Sequence, residues 1–569
     1  MTRVAIVGKD LCEFKKCKYV CMNVCPINRS EKKCIIKGED GFPVIDENLC
    51  IGCGICVKRC DFNAIKIVNL PEELDEKPIV QFGPNSFRLF RLPIPKKGIV
   101  GLLGANGIGK TTALKILAGA VRPNLGNFYE EVDWKEIIRY YRGTEIQQYL
   151  EKLSKSEVRT VYKPQKVDLI PEQFSSIDEL NIDKDIAKKL NIDLSKDLKS
   201  LSGGELQKIA IAHAFSQDAD IYYIDEPSSF LDIKERMKVA KFIREQSLGK
   251  SIMIVEHDLA MLDYLADWIH IFYGVPGAFG IVSGLYGVKN GINAFLEGYL
   301  REENVKIREP ITFTETIQRE KGNEVLIKFS KLSKEYSSFT LTVEPGEIYK
   351  NEILGIIGGN ALGKTTFAKI LAGIEKVDGK IDGKLKISYK PQYISSVNFD
   401  GRVYDLLATV KDPFSDDFKP IISKLKLGTI LQKSVNKLSG GELQRVAIAL
   451  CLGRGADIYL LDEPSAYLDV DQRVMLIKLI RNLERTFVII DHDILFISSI
   501  ADRCMLFSGE GGKWGCAKMY SLQEGLNEFL KEVNITFRRD EETRRLKPNK
   551  PGSVKDREQR ESGHYFASI

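Results

Sequence analysis

Short apolar runs, separated by glycine-rich turns and amphipathic segments, recur along the chain. The runs 98–103, 221–224 and 251–255 are continuous and apolar, which predicts buried strands. The first run is followed by a glycine-rich loop and then by TALKILAG, whose apolar spacing predicts a helix that ends at Gly119. Buried strands that alternate with helices are typical of an α/β fold with a mostly parallel sheet.

One 32-residue pattern is present twice, at 201–232 and 438–469, and 20 of its aligned positions are identical. Each copy joins an LSGGE turn to an apolar strand that ends in Asp-Glu-Pro. A lone Ser-Gly-Gly would indicate only a flexible turn, but the fixed spacing and the repetition favour a functional motif. We therefore expect two homologous halves.

The length and the net charge of the chain limit the classes of protein to which it can belong. The 569 residues predict about three or four folded domains, given roughly 100–200 residues each. A net charge of +5 does not require a uniformly basic surface, so any contact with nucleic acid needs a local patch. No apolar run approaches the roughly 20 residues that span a bilayer, and the N-terminus lacks the apolar stretch of a signal peptide. We expect a cytoplasmic protein.

Nine of the twelve cysteines lie in the first 60 residues, and eight of them form two runs. The spacing of the second run, Cys-x2-Cys-x2-Cys-x3-Cys, is typical of a bacterial [4Fe–4S] ferredoxin. In two-cluster ferredoxins the last cysteine of each run binds the other cluster. This rule predicts one cluster on Cys12, Cys17, Cys21 and Cys60 and another on Cys25, Cys50, Cys53 and Cys56.

Some features depart from the ferredoxin pattern. The first run is wider than usual, and Asp61 replaces the expected proline after the second run. Cys34 is left over, and we interpret it as a packed thiol. Zinc, which also accepts four thiolates, stays an alternative, whereas disulfides fit poorly without an export signal. Basic residues among the cysteines, such as Lys15 and Arg59, either offset cluster charge or contact phosphate.

Two glycine-rich loops, each in a strand–loop–helix context, predict phosphate binding. Their backbone N–H groups can curl around phosphate oxygens, while the lysine reaches the β- and γ-phosphates and the first threonine binds Mg²⁺. The predicted ligands are Gly104, Asn106, Gly107, Gly109, Lys110, Thr111 and Thr112 in the first loop and Gly358, Asn360, Gly363, Lys364, Thr365 and Thr366 in the second. Phe87 and Phe90 are candidates for stacking on adenine, although core packing explains either equally well.

These loops, together with LSGGE and the strands that end in Asp-Glu-Pro, resemble those of the ABC-type ATPases. The resemblance implies that each half has a glutamine that senses Mg²⁺ and the γ-phosphate and an aspartate that holds the Mg²⁺ shell. It also implies a glutamate that acts as general base, worth about 10²–10⁴ in rate, and a histidine that contacts the γ-phosphate. In that order the pairs are Gln165 and Gln392, Asp225 and Asp462, Glu226 and Glu463, and His257 and His492.

The two halves differ by one insertion. Their loop lysines are 254 positions apart but their glutamines only 227, so the first half has about 27 extra residues, near 131–158. Apolar residues there recur at helical spacing and the pattern breaks at 142–144, which predicts a helix–turn–helix-like hairpin. Its basic and aromatic residues could meet RNA, or it could be a plain solvated hairpin. Because the second half needs no equivalent, we expect the nucleotide sites to be independent of it.

The full architecture resembles subfamily E of the ABC proteins, the ribosome-recycling ATPases also called RNase L inhibitor. The cysteine runs, the single insertion, the YGVPGAFG turn at 273–280, the REP segment at 308–310 and the tail SVKDREQRESGHYF carry the likeness. It implies a ferredoxin-like Fe–S domain at 1–75, nucleotide-binding domains at 76–295 and 321–535, a hinge at 296–320 and a C-terminal hinge or tail at 536–569. Composition alone predicts a loose basic tail there. The size of the chain favours an archaeal source.

In this subfamily the two halves of a monomer face each other head to tail, and each ATP lies between the phosphate loop of one half and LSGGE of the other. Ser439 and Gly441 would complete the first site, and Ser202 and Gly204 the second. The resemblance implies that ATP-driven closure splits ribosomes after termination or rescue. The implied partners are rRNA and proteins of the ribosome, mainly of its small subunit, and a termination or rescue factor; no membrane is involved.

Two other functions compete with this one. A transporter energiser is disfavoured by the fused halves and the Fe–S domain. An Fe–S assembly or ATP-driven electron-transfer protein is the stronger alternative, and it requires labile or redox-cycled clusters.

The segment 70–78 is acidic, carries two prolines and is expected to contribute few core residues. We therefore expect structural clusters in a domain that swings as one piece.

The first prediction concerns metal content. Iron and acid-labile sulfide should each approach about eight per chain, because eight cysteines suit two four-iron clusters. Elemental analysis and sulfide assay of anaerobically prepared protein measure both quantities. Stoichiometric zinc without sulfide would contradict the prediction.

Overall fold

The computed structural model describes residues 3–30, 32–71, 74, 76–312, 322, 324–383, 385–392 and 399–566. Positions 72, 73 and 75 of the predicted linker and 313–320 of the predicted hinge lie outside the described residues. Within the described part, no helix has both the length and the apolar character needed to cross a membrane.

The N-terminal unit is small and built around its cysteines. It contains β1 (Arg3–Val7), α1 (Phe14–Cys17), α2 (Val20–Val24), β2 (Ile35–Lys37), β3 (Pro43–Ile45), α3 (Ile55–Lys58) and β4 (Ile65–Asn69). β1 pairs antiparallel with β4, and β2 pairs antiparallel with β3. Five of the eight cysteines in the runs are only partly buried or exposed.

The first half is centred on an eight-stranded sheet with the order β5-β6-β12-β11-β7-β10-β9-β8. Its elements are β5 (Val80–Gln81), β6 (Arg88–Phe90), β7 (Gly98–Gly104), α4 (Lys110–Leu117), α5 (Trp134–Tyr140), α6 (Ile146–Ser154), β8 (Thr160–Lys163), α7 (Ile170–Gln173), α8 (Lys184–Lys189), α9 (Gly203–Ser216), β9 (Ile221–Asp225), α10 (Ile233–Gln246), β10 (Ser251–Val255), α11 (Leu259–Leu265), β11 (Trp268–Val275), β12 (Phe279–Gly287) and α12 (Val288–Glu297). The strands β11, β7, β10, β9 and β8 are mutually parallel, as predicted for buried apolar runs.

The second half repeats this arrangement with the order β16-β17-β25-β24-β19-β23-β22-β21. Between the halves lie β13 (Tyr299–Leu300) and β14 (Val305–Lys306). The second half contains β15 (Val325–Phe329), β16 (Leu332–Glu335), β17 (Thr340–Val343), β18 (Gly346–Tyr349), β19 (Ile353–Gly358), α13 (Lys364–Leu371), β20 (Ile381–Asp382), β21 (Ile387–Lys390), α14 (Val403–Ala408), α15 (Lys419–Lys424), α16 (Gly440–Gly453), β22 (Ile458–Asp462), α17 (Val470–Arg481), β23 (Thr486–Ile490), α18 (Ile494–Ile500), β24 (Arg503–Glu510), β25 (Trp514–Ser521) and α19 (Leu522–Glu532). The predicted α/β fold with two homologous halves is confirmed.

The LSGGE motif is also a helix start. Ser202 precedes α9, its hydroxyl accepts from the Glu205 N–H, and the Glu205 carboxylate accepts from the Ser202 N–H at 2.9 Å. Ser439 and Glu442 form the same reciprocal cap on α16. Such a capping box satisfies backbone donors that a helix leaves unpaired at its first turn, so the motif fixes where each helix begins.

The N-terminal unit docks on the first half through buried polar contacts. Arg88 of β6 and Glu47 form an ion pair at 2.8 Å, with side chains only 9% and 7% exposed. Asn85 exchanges two hydrogen bonds with the backbone of Ile45, at 2.7 and 2.9 Å. The Val7 N–H donates to the Asn85 carbonyl at 2.9 Å. The unit is therefore seated in a specific position.

The connection between this unit and the first half takes part in a core. Leu70 and Leu74 are buried in a cluster with Val4 of the N-terminal unit and Phe90 of the first half. Val470 and Val474 of α17, in the second half, belong to the same cluster, which becomes a core shared by three parts of the chain. Of the described residues in 70–78 only Leu70 and Leu74 are buried, which agrees with the expectation of few core residues, yet these two leucines anchor the connection in that shared core.

The C-terminal segment is folded against both halves. It consists of β26 (Phe537–Arg539), β27 (Leu546–Pro548) and α20 (Val554–Ser562). The Arg545 side chain is fully buried and forms an ion pair with Asp263 of α11 at 2.9 Å. Phe537 and Leu546 join the core of the second half. The composition-based prediction of a loose tail is wrong, because these few apolar and paired residues outweigh the charged ones that surround them.

The insertion forms a hairpin of the two helices α5 and α6, separated by the turn around Gly143. Ile137, Ile146 and Leu150 are buried in one cluster with residues of α4 and β9. The hairpin therefore completes the core of the first half with its inner face, whereas Lys135 and Arg139 on its outer face are exposed, so RNA contact and a merely solvated outer face both stay predictions. Because α4 begins at Lys110, the same burial argues against the expectation that the nucleotide sites are independent of the hairpin.

This packing generates the second prediction. Leu150→Ala should lower the free energy of unfolding of the first half by about 2–5 kcal/mol, because a fully buried leucine leaves a cavity beside α4. Thermal unfolding and hydrogen exchange of the full chain measure the loss. The matched control is Gln148→Ala on the exposed face of α6, and an equal effect of both changes would contradict the packing argument.

Candidate functional site

The phosphate loops hold their lysines in place through main-chain contacts. Lys110 Nζ donates to the carbonyls of Gly104 and Ala105, each at 2.7 Å. Lys364 makes the equivalent contacts with its own loop. Burial lowers the pKa of each lysine to about 8, against the raising effect of nearby carboxylates. A triphosphate would supply the negative charge that such a desolvated ammonium group needs.

An aromatic ring lies against each loop. Gly109 has a φ of +100°, and a Cβ there would lie 2.9 Å from Phe87 Cζ. Gly363, with a φ of +94°, has the same relation to Phe339 at 3.2 Å. The prediction for Phe90 is wrong, since its ring is buried in the core and only 2% exposed. Sequence reasoning missed Phe339, although its offset of 252 from Phe87 nearly equals that of the loop lysines.

The structure brings the predicted Mg²⁺ ligands together. Thr111 Oγ1 donates to Asp225 Oδ2 at 2.7 Å, and Thr365 Oγ1 to Asp462 Oδ2 at 2.9 Å. Burial and then the charge of Glu463 raise the pKa of Asp462 to about 6, and the pKa of Asp225 is also raised. The buried Asp225 Oδ1 has no hydrogen-bond partner among the described residues. A hydroxyl beside an under-coordinated carboxylate fits a hard cation.

Glu226 follows β9 in a left-handed conformation, with a φ of +48°, which is rare for a residue with a side chain. Gln165 Nε2 donates to its Oε1 at 2.6 Å, and His257 Nε2 lies 3.4 Å from the same oxygen. Ser229 Oγ donates to Oε2 at 2.9 Å. Burial pushes the pKa of Glu226 upward, but the hydrogen bond and charge of His257, with Ser229 and Lys110, lower it to about 2.

The second half reproduces the glutamine and histidine contacts of this cluster, but Ala466 stands where the first half has Ser229. Glu463 has the same φ of +48°. Gln392 Nε2 donates to Glu463 Oε1 at 2.6 Å, and His492 Nε2 lies 3.4 Å from that oxygen. Burial pushes the pKa of Glu463 upward, but the hydrogen bond and charge of His492, with the charges of Lys364 and Arg236, lower it overall. Both glutamates are therefore ionised acceptors at neutral pH, the state that a general base requires.

The two halves meet through a reciprocal pair of hydrogen bonds. The Asn106 N–H donates to Asp469 Oδ2 at 2.9 Å, and the Asn360 N–H donates to Asp232 Oδ2 at 2.8 Å. The other oxygen of each aspartate caps its own helix, α10 or α17, at 2.9 Å. Sequence reasoning included Asp232 and Asp469 only as the shared final position of the two 32-residue copies and missed this contact between the halves. Their identity at that shared position was the signal that could have indicated it.

Each nucleotide site is composite. A cavity of about 320 Å³ joins the LSGGE turn of the first half to the phosphate loop of the second. The predicted residues that line it are Ser202, Gly204, Asn360, Gly363, Lys364, Thr365, Thr366, Gln392, Asp462, Glu463 and His492. In the other site, a Cβ at Gly441 would lie 3.8 Å from Asn106 Nδ2. Ser439 caps α16 at the same edge.

The glycine-rich turn at 273–280 braces the first phosphate loop. The Gly277 N–H donates to the Gly107 carbonyl at 2.9 Å. A Cβ at Gly280 would lie only 2.0 Å from the Ile108 carbonyl oxygen, so any side chain there would displace the loop. In the second half the Gly512 N–H donates to the Ala361 carbonyl at 3.0 Å. The turn thus helps to fix the shape of the first phosphate loop.

The eight cysteines fall into two electrostatic neighbourhoods that match the predicted ligand sets. Burial, and then Cys17 and Cys60, raise the pKa of Cys12 to about 11. Burial, and then Cys50, Cys53 and Cys25, raise the pKa of Cys56 to about 11.

The second set lines one cavity with Cys34, which is 1% exposed. Cys34 is packed, as interpreted, but it faces this cysteine set. A cavity lined by the four thiols of the second set fits a [4Fe–4S] cluster.

Comparisons with known proteins give the family. The family model described as ABC transporter matches residues 88–229 and 343–466, and that of the 4Fe-4S binding domain matches 43–66. An uncharacterized ABC transporter ATP-binding protein of Methanocaldococcus jannaschii is 49% identical, covering 99% of this chain and 97% of its own length. ABC transporter E family member 1 of Arabidopsis thaliana is 42% identical, covering 100% of this chain and 99% of its own.

The chain belongs to subfamily E of the ABC proteins. As a member of subfamily E it is an ATPase, and its N-terminal unit is a [4Fe–4S] domain, which decides against zinc. A solved structure titled as a model of ribosome-bound archaeal Pelota and ABCE1 aligns over 100% of this chain and 99% of its own, with 47% identity and a TM-score of 0.93. A crystal structure of archaeal ribosomal stalk protein aP1 with archaeal ribosome recycling factor aABCE1 covers 87% of this chain and 100% of its own, with 48% identity and a TM-score of 0.81.

The catalytic clusters generate the third prediction. Glu226→Gln and Glu463→Gln should each keep ATP binding and slow hydrolysis, and the double change should lock the halves together, because an amide cannot accept a proton from water. The expected loss at each site is about 10²–10⁴-fold in kcat. Phosphate release and nucleotide retention measure it. The control is Glu136→Gln on the exposed face of the insertion; a double variant with wild-type turnover would show that these residues are not the bases.

Proposed function

We propose that this protein splits ribosomes into subunits after termination or rescue, and then stays for a time on the small subunit. The observation that carries the proposal is the likeness of the whole chain to a structure titled as ribosome-bound. The arrangement of the sites supports it, since two ATP molecules held between facing halves can drive one large closing movement. The proposed location is the cytoplasm, where ribosomes are available.

The proposed chemistry uses the two composite sites in the same way. In the first site the backbone of 104–109 and Lys110 bind the phosphates, and Thr111 with Asp225 would hold a Mg²⁺ ion, which would supply positive charge beside the phosphates. Glu226 accepts the proton of the attacking water, while Gln165 and His257 position that water and the γ-phosphate. Ser439 and Gly441 contact the phosphate from the other half. Binding therefore closes the halves, and cleavage removes the link between them.

The proposed mechanical output is the Fe–S domain. Its β1 shares a core with α17 of the second half, so separation or closure of the halves changes the surface on which the domain rests. The ion pair of Arg88 and Glu47 and the Asn85 hydrogen bonds must break if the domain leaves this seat. We assign the two clusters a structural role, because they make rigid a domain too small for a large core of its own.

Basic and aromatic residues supply the proposed contacts with the ribosome. Lys15, Lys18 and Lys58 lie in the Fe–S domain, and Lys135 and Arg139 project from α5 of the insertion. Exposed cations of this kind suit phosphate groups of rRNA. A rescue factor such as the Pelota named with the ribosome-bound relative, or a termination factor, is the proposed protein partner.

The fourth prediction tests this function. Addition of protein and ATP to purified ribosomes should convert intact ribosomes into subunits in a sedimentation gradient. Cys53→Ser should abolish splitting and spare ATP binding, because Cys53 lies in the Fe–S domain and contributes no atom to the nucleotide sites. The matched control is Cys516→Ser on β25, which should split normally. An unchanged ribosome profile with the wild-type protein would contradict the proposal.

A distance probe separates the mechanical role from the redox alternative. One label on the Fe–S domain and another on the first half should change separation between ADP and a trapped ATP state on small subunits. Glu47→Gln should loosen the docked position without ribosomes, because it removes the charge that Arg88 needs. A separation that stays fixed while the halves close, together with clusters that change redox state during turnover, would favour the electron-transfer alternative.

A further inference from the structure

A buried pair of tyrosine hydroxyls links the insertion to the first nucleotide site. Tyr149 of α6 and Tyr223 of β9 have their hydroxyl oxygens 2.6 Å apart. The Tyr149 hydroxyl also donates to the carbonyl of Leu117, the last residue of α4. One side chain of the insertion thus touches both the helix that begins at Lys110 and the strand that ends at Asp225.

The direction of the two hydrogen bonds follows from their chemistry. A carbonyl can only accept, so the Tyr149 proton points to Leu117 and the Tyr223 hydroxyl donates to Tyr149. Burial raises the pKa of Tyr149 to about 12 and raises that of Tyr223 as well, so both phenols keep their protons at neutral pH. Without the Tyr149 oxygen, the Tyr223 donor would be buried and unpaired.

Tyr223 lies two residues before Asp225 on β9, so a shift of the Tyr223 ring would also displace this predicted Mg²⁺ ligand. Residues two apart on a strand point to the same face, so Tyr223 and Asp225 both face α4. Asp225 is joined to α4 at Thr111, near the start of the helix, and Tyr149 joins the same two elements near its end. Hydrogen-bonded contacts near both ends of α4 therefore fix the distance between β9 and α4.

Among the described residues, the second half has no hydroxyl pair that corresponds to Tyr149 and Tyr223. At the offset of 237 that relates the LSGGE serines, the residue that corresponds to Tyr223 is Leu460, which is fully buried in an apolar core. The second half also has no insertion that could supply a hydroxyl. The tyrosine pair occurs only in the half that carries the hairpin.

The hairpin has a second contact at its other helix. The Lys77 N–H donates to the Tyr140 hydroxyl at 2.8 Å, and Lys77 belongs to the connection with the Fe–S domain. The neighbouring Glu76 is paired with Arg91 at 2.9 Å. The insertion therefore lies between the Fe–S connection and the first nucleotide site and touches both.

We propose that Tyr149 is a positioning residue through which the insertion sets the spacing of β9 and α4, and with it the hydrolysis rate of the first ATP site alone. A partner that displaces α6, or a pull on the Fe–S connection, would then change turnover at one site and leave the other unchanged. The inference rests on the proposed assignment of Asp225 and Glu226 to the first site.

The fifth prediction tests the inference in two backgrounds of the full-length, cluster-loaded protein. In Glu463→Gln, where the first site retains its base, Tyr149→Phe should lower kcat about three- to tenfold with KM unchanged, because its hydroxyl loses the hydrogen bonds to both Leu117 and Tyr223. In Glu226→Gln the same change should have no effect relative to its background. Tyr223→Leu, which copies the second half, should reproduce the loss, and the two changes together should not add.

The matched control is Tyr141→Phe. Tyr141 is buried in the same hairpin, and its hydroxyl makes no hydrogen bond to β9 or α4 among the described residues, so its loss should leave kcat unchanged. Equal losses in both backgrounds, a loss confined to KM, or a loss matched by Tyr141→Phe would overturn the proposal. Wild-type turnover of both glutamine backgrounds would instead show that the site assignment itself fails.

Discussion

Two aspartates hold the halves of this molecule in register. Asp232 and Asp469 each use one carboxylate oxygen to start a helix of their own half and the other to accept an N–H from the opposite phosphate loop. Hydrogen bonds to an ionised acceptor are stronger than neutral ones, about 1.5–3 kcal/mol each. Because the same carboxylate serves both purposes, a movement of one helix start is also a movement of the opposing loop. The composite sites depend on this arrangement, since neither half contains all the groups that one ATP needs.

The rest of the architecture builds on that register. Once α17 is fixed against the first half, its Val470 and Val474 complete a core that also receives Val4 from the Fe–S domain. The Fe–S domain is therefore seated on a surface that both halves build together. The buried C-terminal Arg545 ties the second half back to α11 of the first. The two halves and the small domain each have a hydrophobic cluster of their own and share one further cluster, to which all three contribute.

The sequence was most informative where function requires a fixed local pattern. Strand–loop–helix spacing predicted the roles of Lys110 and Lys364, and the repeat predicted those of both glutamates, because these roles need particular residue types at particular offsets. Cysteine spacing predicted the two ligand sets for the same reason. Composition failed for the C-terminal segment, since a few buried side chains decide packing while many exposed charges decide composition.

Other features depend on which elements meet in three dimensions. Asp469 accepts a hydrogen bond from the N–H of Asn106, 363 positions away, and no local pattern indicates which N–H donates to it. The hydroxyl pair of Tyr149 and Tyr223 likewise depends on how the hairpin folds back onto the sheet. Phe339 could have been predicted, because its position follows from the repeat once Phe87 is chosen over Phe90. Tertiary contacts are therefore what the sequence does not predict, and comparison of the two repeats recovers some of the positions involved.

The buried ion pair of Arg88 and Glu47 resists gradual separation of the Fe–S domain from the first half. When two desolvated charges begin to separate, their attraction falls before the gap is wide enough to admit water. Intermediate separations are then less favourable than either contact or full hydration. In the proposed movement the domain would therefore have two preferred positions with a barrier between them, and it would pass from one to the other in a single step. A graded displacement of the halves would then be converted into a two-state output, whose timing is set by the height of the barrier.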